Sequence, residues 1–405
     1  MSIGGYRRAG AGGARRGLPR DPMTSPSSEA AARPVLATID LGAISHNIEL
    51  IRKRAQRPLR MIVPVKANAY GHGVESVGLH LERLGVDALA TANVTEALAL
   101  RRAGAQLPIL MYASQLPAGI PYLLEHDLTP TIGDRAGLEA AAAASGGAPV
   151  AVHVEVDGGF GRLGVRFDEA TDFIRAVLAE PRLKLEGVYT HLPFGDDAGR
   201  LWAQRRLAAF TALVRGVEAE HGITIEFAQA AASGALLSDL PDELNTVAPG
   251  HLVYGISPLT GVSAEAFGFQ RALSCLTAPL IHIGQHKSGD DLADGRVSRA
   301  QRTAVILFGI DNGSRFAPGA RVLVRGQRCP VLSVTAEYTV VDISTVPTAG
   351  LGDRATIIGH DASEEITLDD VATPQDVSPG YWMMGLRRVP YLHLTNGTAQ
   401  LDRLT

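Results

Sequence analysis

The chain has 405 residues, of which 46% are hydrophobic and 20% charged, with a net charge of -4 and a pI near 6.3. This is ample material for a core, and the slightly acidic balance leaves no electrostatic footprint for nucleic acid or an anionic membrane surface. Two cysteines, Cys275 and Cys329, are too few for a disulfide framework and fit a reducing, cytoplasmic setting, and no apolar run reaches the ~20 residues of a membrane-spanning helix.

At roughly 150 residues per domain, the length suggests two domains, or one large barrel with an appendage. The first segment, 1–35, is Gly, Ala, Ser and Pro punctuated by Arg7, Arg8, Arg15, Arg16 and Arg20. It has no apolar stretch behind the basic residues, so it reads as a disordered extension rather than a signal peptide, despite the Arg7-Arg8 pair. Met23 is a candidate natural start. From Ala37 the pattern is regular, with Asp40 placed to cap an amphipathic helix that carries Ile44, Ile48 and Ile51 on one side. Strand-like runs at 61–66, 87–91, 108–112, 128–131, 149–156, 184–190, 224–228 and 244–248 then alternate with helical runs. Eight strands with intervening helices predict a (β/α)8 barrel, giving an α/β domain over 36–258. After Leu259 the runs are short, β-branched and separated by Gly, Pro and Asp, at 302–308, 321–324, 330–334, 339–343 and 355–358. They predict a mostly antiparallel β domain over 259–405.

The first barrel run, Met61-Ile62-Val63-Pro64-Val65, ends in Lys66 and breaks into Ala67-Asn68-Ala69-Tyr70-Gly71-His72-Gly73. A lysine there is delivered to the active-site face of a barrel. If partly desolvated, its amine has a lowered pKa and can form a Schiff base; the alternative is a surface lysine capping a strand. Further segments follow later strands: Val156-Asp157-Gly158-Gly159-Phe160-Gly161-Arg162-Leu163-Gly164, Tyr189-Thr190-His191, Ala232-Ser233-Gly234 and Pro249-Gly250-His251-Leu252-Val253-Tyr254-Gly255. Gly352-Asp353 and a run ending in Arg388-Val389-Pro390 occur in the β region.

In this order, these segments resemble the alanine racemase family over about 36–395. The resemblance implies pyridoxal 5'-phosphate (PLP) carried on Lys66. Tyr70, Ser233, Gly234, Gly250 and Tyr254 would hold its phosphate, consistent with the helix N-termini and last two loops that bind phosphate in such barrels. Arg162 would lie beside the cofactor's phenolic oxygen and the substrate carboxylate, and His191 near the ring, although a buried core histidine is the alternative for His191. The family also implies a small amino-acid substrate and a homodimer with shared active sites. Asp311, Tyr338 and Tyr381 are the candidate substrate-side residues, and no metal site is expected.

Three departures from the family pattern bear on the chemistry. Racemisation needs two acid/base groups, and where the family has a tyrosine from the partner subunit this chain has Ile310 in Gly309-Ile310-Asp311-Asn312-Gly313. Asp311, or Tyr338 in Thr335-Ala336-Glu337-Tyr338, could substitute, or both could be ordinary turn and strand residues. Ala248 stands where the family sets an arginine against the pyridine nitrogen, which leaves ring protonation unopposed. Glu155 stands where many relatives carry a carbamylated lysine, and it keeps a negative oxygen for Arg162. The resulting expectation is a PLP enzyme acting at Cα of an amino acid, with racemisation or epimerisation leading. Decarboxylation, aldol cleavage or elimination on the same fold is the alternative, as is a PLP-binding protein of low turnover.

Overall fold

The computed structural model describes residues 35–401, apart from 56–57, 115, 293–294, 314–315, 318 and 396–397. The expected N-terminal extension and the Met23 start lie outside the described residues, but for Val35.

Eight described strands are hydrogen-bonded in parallel, each to the next: Arg60–Pro64, Ala88–Thr91, Ile109–Ser114, Thr129–Ile132, Val150–Asp157, Leu183–Tyr189, Phe227–Ala232 and Thr246–Ala248. The last returns to the first through Thr246 opposite Arg60, and the barrel closes. Alternation along the strands fills both sides. Ile62, Ala88, Ala90, Leu110, Tyr189 and Phe227 form one buried cluster in the lumen. Their neighbours Met61, Val63, Leu89, Ile109 and Met111 point outward into the large core beneath the helices. The helices start where the sequence offers side-chain acceptors: Asn93, Asp134 and Asp196 each accept a backbone N–H of the helix that follows. Asp40 does the same for helix Leu41–Ala55, accepting from Gly42 at 2.7 Å, and Ile44, Ile48 and Ile51 are buried.

The second sheet is mixed but mostly antiparallel. Its spine is Leu273–His286, which pairs with Leu36–Asp40, Gln301–Ile306 and Arg354–Asp361. Strand Leu36–Asp40 lies within the span expected for the barrel, yet it belongs to this sheet, between the spine and Tyr391–Thr395. The chain therefore contributes to the β sheet first and only then builds the barrel. In that sheet Ala37 pairs in parallel with Tyr391, across most of the described chain.

Candidate active site

The barrel segments singled out in the sequence follow strands at one end, the carboxyl end, where loops rather than packed side chains form the surface. Lys66 comes just after the first strand, and the backbone then turns in the hand L-residues avoid. Ala67, Asn68, Ala69 and Tyr70 have φ of 53° to 55°, which costs about 1–2 kcal/mol per residue and persists only where the surroundings impose it. Here they do. The Asn68 N–H donates to Glu96 Oε1 at 2.7 Å, and the Asn68 side-chain oxygen accepts from Val74 N–H at 2.8 Å. Glu96 is fixed in turn by the Thr91 hydroxyl at 2.6 Å. Gly71, at φ +82°, closes the turn where a Cβ would sit 2.3 Å from the Met383 carbonyl oxygen. From the β sheet, the His393 Nε2 meets the His72 carbonyl at 2.7 Å. The turn is thus clamped from barrel and β sheet together.

His72, at the end of this turn, is 1% exposed, donates Nδ1–H to the Ala69 carbonyl at 3.0 Å and stacks on Tyr254 at 4.6 Å. Burial lowers its pKa from 6.5 to about 4, outweighing the carbonyls that favour the charged form. The unfolded chain therefore takes up a proton before the folded one does. The corresponding stability is fully present above pH 6.5 and is lost as pH falls from 6.5 toward 4. We expect a loss of about 3 kcal/mol from this residue across that window, and a shallower acid slope in urea unfolding of His72→Gln.

Lys66 has no hydrogen-bond or ion-pair partner among the described residues. Burial lowers its pKa, the Arg162 charge lowers it further, and Glu155 opposes both. Arg162 sits on the loop after the fifth strand, and that loop is shaped locally. Asp157 Oδ1 accepts from Gly159 and Gly161 N–H at 2.8 and 3.0 Å, and Gly164, at φ +100°, has no room for a Cβ beside the Glu155 carbonyl. The guanidinium lies 4.7 Å over the Phe160 ring and has no carboxylate partner among the described residues. Glu155 itself is buried in the lumen and accepts from the Tyr189 hydroxyl at 3.1 Å. Burial raises its pKa, while that hydrogen bond and Arg162 lower it. His191 follows the sixth strand, edge-on to Phe160 at 5.8 Å. Burial first, then the charges of Lys66 and Arg162, pull its pKa to about 4, so it is neutral at ordinary pH.

At the other side of Lys66, two short helices, Ser233–Leu237 and Gly250–Val253, begin without side-chain caps. Gly250 has no Cβ where one would lie 2.5 Å from the Tyr70 hydroxyl, and Gly234 faces Phe194 in the same way. The Ser233 hydroxyl ties the two starts together, accepting from Leu252 N–H at 3.2 Å, and these helix starts with the Tyr70 phenol form a cradle that suits a phosphate. Tyr381, exposed on helix Pro379–Met384, is near enough that it adds to the burial that raises the Tyr70 pKa. The residues present therefore fit PLP: an unpaired amine, an unpaired guanidinium and an anion cradle at one barrel end.

Two expectations are corrected or narrowed. Tyr254 was expected to donate to the phosphate, but it is fully buried and donates to the Pro64 carbonyl at 3.2 Å. It braces the strand that delivers Lys66. Asp311 and Tyr338 lie on two adjoining loops of the β domain, joined by Ile310 N–H to Thr335 O at 3.1 Å and Asp311 N–H to Ala336 O at 2.8 Å. Asp311 is ion-paired with Arg388 at 2.7 Å, and neither Asp311 nor Tyr338 is among the groups that perturb Lys66 within the chain. One residue was missed. His251, directly after Pro249-Gly250, turns its ring toward this site, edge-on to Tyr70 at 5.0 Å. A polar ring in an otherwise apolar helix-starting segment was the available signal.

The family model described as alanine racemase, N-terminal domain, matches residues 39–258, and that described as alanine racemase, C-terminal domain, matches 274–391. The chain is 33% identical over 348 residues to an alanine racemase of Desulfovibrio desulfuricans, covering 84% of this chain and 92% of that one. It is 30% identical over 350 residues to one from Methanococcus maripaludis, with the same coverage. Among solved structures, alanine racemase from Bacillus anthracis with bound L-Ala-P superposes with a TM-score of 0.81 at 28% identity, covering 91% of this chain and 97% of that one.

Proposed function

We propose a function for this chain, which belongs to the alanine racemase family: it is a PLP-dependent enzyme that acts at Cα of a small amino acid, most directly as a racemase or epimerase. The observation that carries the proposal is the unpaired Lys66 amine, held by the left-handed turn within electrostatic reach of the unpaired Arg162.

Lys66 would attach the cofactor through Nζ. Tyr70, Ser233, Gly234 and Gly250 would hold its phosphate, with Tyr381 as a further phenol donor at the rim. PLP, when bound, supplies an electron sink for the charge left at Cα when a bond there breaks. The protein's part is positioning and proton transfer. Arg162, free of any protein carboxylate, would bind the substrate carboxylate and fix Cα near Lys66. Burial and Arg162 favour the uncharged form of the Lys66 amine, which would take the Cα proton at Nζ. His191 stays neutral and adds no charge that would compete with Arg162. Glu155 places a carboxyl below the site, tied by Tyr189. We further propose a homodimer in which the loops bearing Ile310, Asp311 and Tyr338 close the partner's barrel mouth. The exposure of Ile310, Leu351 and Tyr381, at 63%, 69% and 72%, supports such a covered surface.

Two observations keep non-racemase chemistry on this fold as a second reading: Ile310 in place of a proton carrier, and Ala248, a buried alanine ending the eighth strand. Without a cation at Ala248, nothing from that position opposes protonation of the cofactor ring, which favours decarboxylation, aldol cleavage or elimination as much as racemisation. The deciding experiment is Cα hydrogen exchange in deuterated solvent over a panel of L- and D-amino acids, with chiral product analysis. Exchange with inversion supports the racemase. Exchange with retention, or product lacking carboxylate or side chain, supports the second reading, and a protein that binds PLP without exchange acts as a carrier. In the same assay Ala248→Arg is expected to reduce exchange about tenfold if the alanine belongs to a changed reaction, and to leave it unchanged or faster if the protein is an ordinary racemase.

A further inference from the structure

We infer that His251 is an additional phosphate ligand of this site, an inference that rests on the cofactor reading above and adds a residue to it. Its ring is edge-on to Tyr70 at 5.0 Å, the same Tyr70 whose hydroxyl lies over Gly250 at the start of the short helix. On its other side the ring's Cδ2–Nε2 edge fills the space left by Gly380, where a Cβ would lie 2.9 Å from both atoms. Glycine at 380 is not required by its backbone, which has no positive φ there. What the missing side chain provides is room for an imidazole. Neither ring nitrogen of His251 has a hydrogen-bond partner among the described residues. A half-buried polar ring is thus wedged between the anchoring turn and helix Pro379–Met384, beside the anion cradle, with its ring N–H open to a ligand.

The groups near His251 are Lys66 and Tyr70 from the turn and His191 from the sixth strand's end, with Tyr381, which acts on Tyr70, next to Gly380 on its helix. None is an acid at ordinary pH, so nothing in the protein favours a charged imidazole. Burial and Lys66 hold its pKa near 4. A bound phosphate dianion reverses that balance: the imidazole takes a proton from solvent and donates it in a charge-assisted hydrogen bond. Binding then strengthens as pH falls through the raised, ligand-bound midpoint, and the gain levels off once the free ring is also protonated.

The test uses the full chain freed of cofactor, with inorganic phosphate and PLP as probes. The His251 ring resonance, assigned by its loss in His251→Gln, should shift its titration midpoint upward by about one pH unit or more at saturating phosphate. PLP affinity of His251→Gln should be about tenfold weaker near pH 6, with the gap closing toward pH 9. The second ionisation of PLP near pH 6 is common to both proteins and cancels in the comparison. Gly380→Ala, which leaves His251 in place but occupies its slot, should reproduce the weakening and the flattened pH profile. A midpoint indifferent to phosphate, or His251→Gln binding PLP as the wild type does across the range, overturns this inference alone. A wild type that takes up no PLP at any pH overturns the cofactor reading and this inference with it.

Discussion

Lys66→Ala is expected to slow Cα hydrogen exchange by at least about 1,000-fold while leaving the fold intact. Among the described residues, the neighbouring Arg162, His191 and His251 are poor replacements for it. A guanidinium such as that of Arg162 has no lone pair to offer as a base. His191 and His251 have pKa values of about 4 and are weak bases. Because Lys66 forms no hydrogen bond or ion pair with a described residue, its removal breaks no structural bond and should cost little stability. Lys66→Arg keeps a cation but cannot attach the cofactor, so it should be as inactive as the alanine variant. Exchange followed by NMR in deuterated solvent, beside a urea titration of each variant, separates loss of chemistry from loss of fold. Retention of a tenth or more of the wild-type rate in Lys66→Ala would show that another group moves the proton.

Ile310→Tyr is the converse experiment, a predicted gain. Ile310 begins a single 3-10 turn, Ile310–Asn312, whose backbone is tied to the neighbouring loop at Thr335 and Ala336 and whose side chain is 63% exposed. Gly309 has no space for a Cβ beside the Ala336 carbonyl and Glu337 backbone, and Gly313 none beside the Gly385 carbonyl, so the turn is seated firmly. A tyrosine at 310 can replace isoleucine without disturbing that seat. If the loop enters the partner's site, the new phenol supplies the missing second proton carrier, and inversion of alanine should rise by about 100-fold. The same variant should do nothing to alanine inversion if the native reaction needs proton transfer on one face only and the loop does not reach a partner site. Chiral analysis of alanine after incubation with wild type and variant reads out both cases.

Much of this was legible in the sequence because it rested on periodicity and punctuation. The eight strand runs fell on observed strands to within a few residues at each end, since short continuous apolar runs such as Met61-Ile62-Val63, buried on both faces and separated by helical runs, are the direct signature of a barrel wall. Lys66, Arg162, His191, Ser233 and Gly250 were named as site candidates through the family resemblance of the segments that carry them. Long-range pairing was not legible. Strand Leu36–Asp40 looks like an ordinary first strand, but its partners are Leu273–His286 and Tyr391–Thr395, more than 230 residues away in sequence. The spine itself was hidden by Pro279 and Gly284 and by a register shift between Leu280 and His282. In the site, a motif told which residue types recur but not where each bond goes. Tyr254 looked available to a ligand until its phenol was found on the Pro64 carbonyl. Four consecutive left-handed residues, of which none is glycine, are also invisible to local propensity. They exist because Glu96, Gly71 and the β sheet hold them.

The central claim, that Lys66 is the cofactor lysine, is tested most directly by covalent trapping. The purified full-length protein is incubated with PLP, reduced with borohydride, digested and mapped by mass spectrometry. The account predicts a protein that absorbs in the visible before reduction, and a stable pyridoxyl adduct on the peptide containing Lys66 and on no other lysine. A protein that stays colourless in saturating PLP, or an adduct carried by Lys53, Lys184 or Lys287 instead, would contradict it.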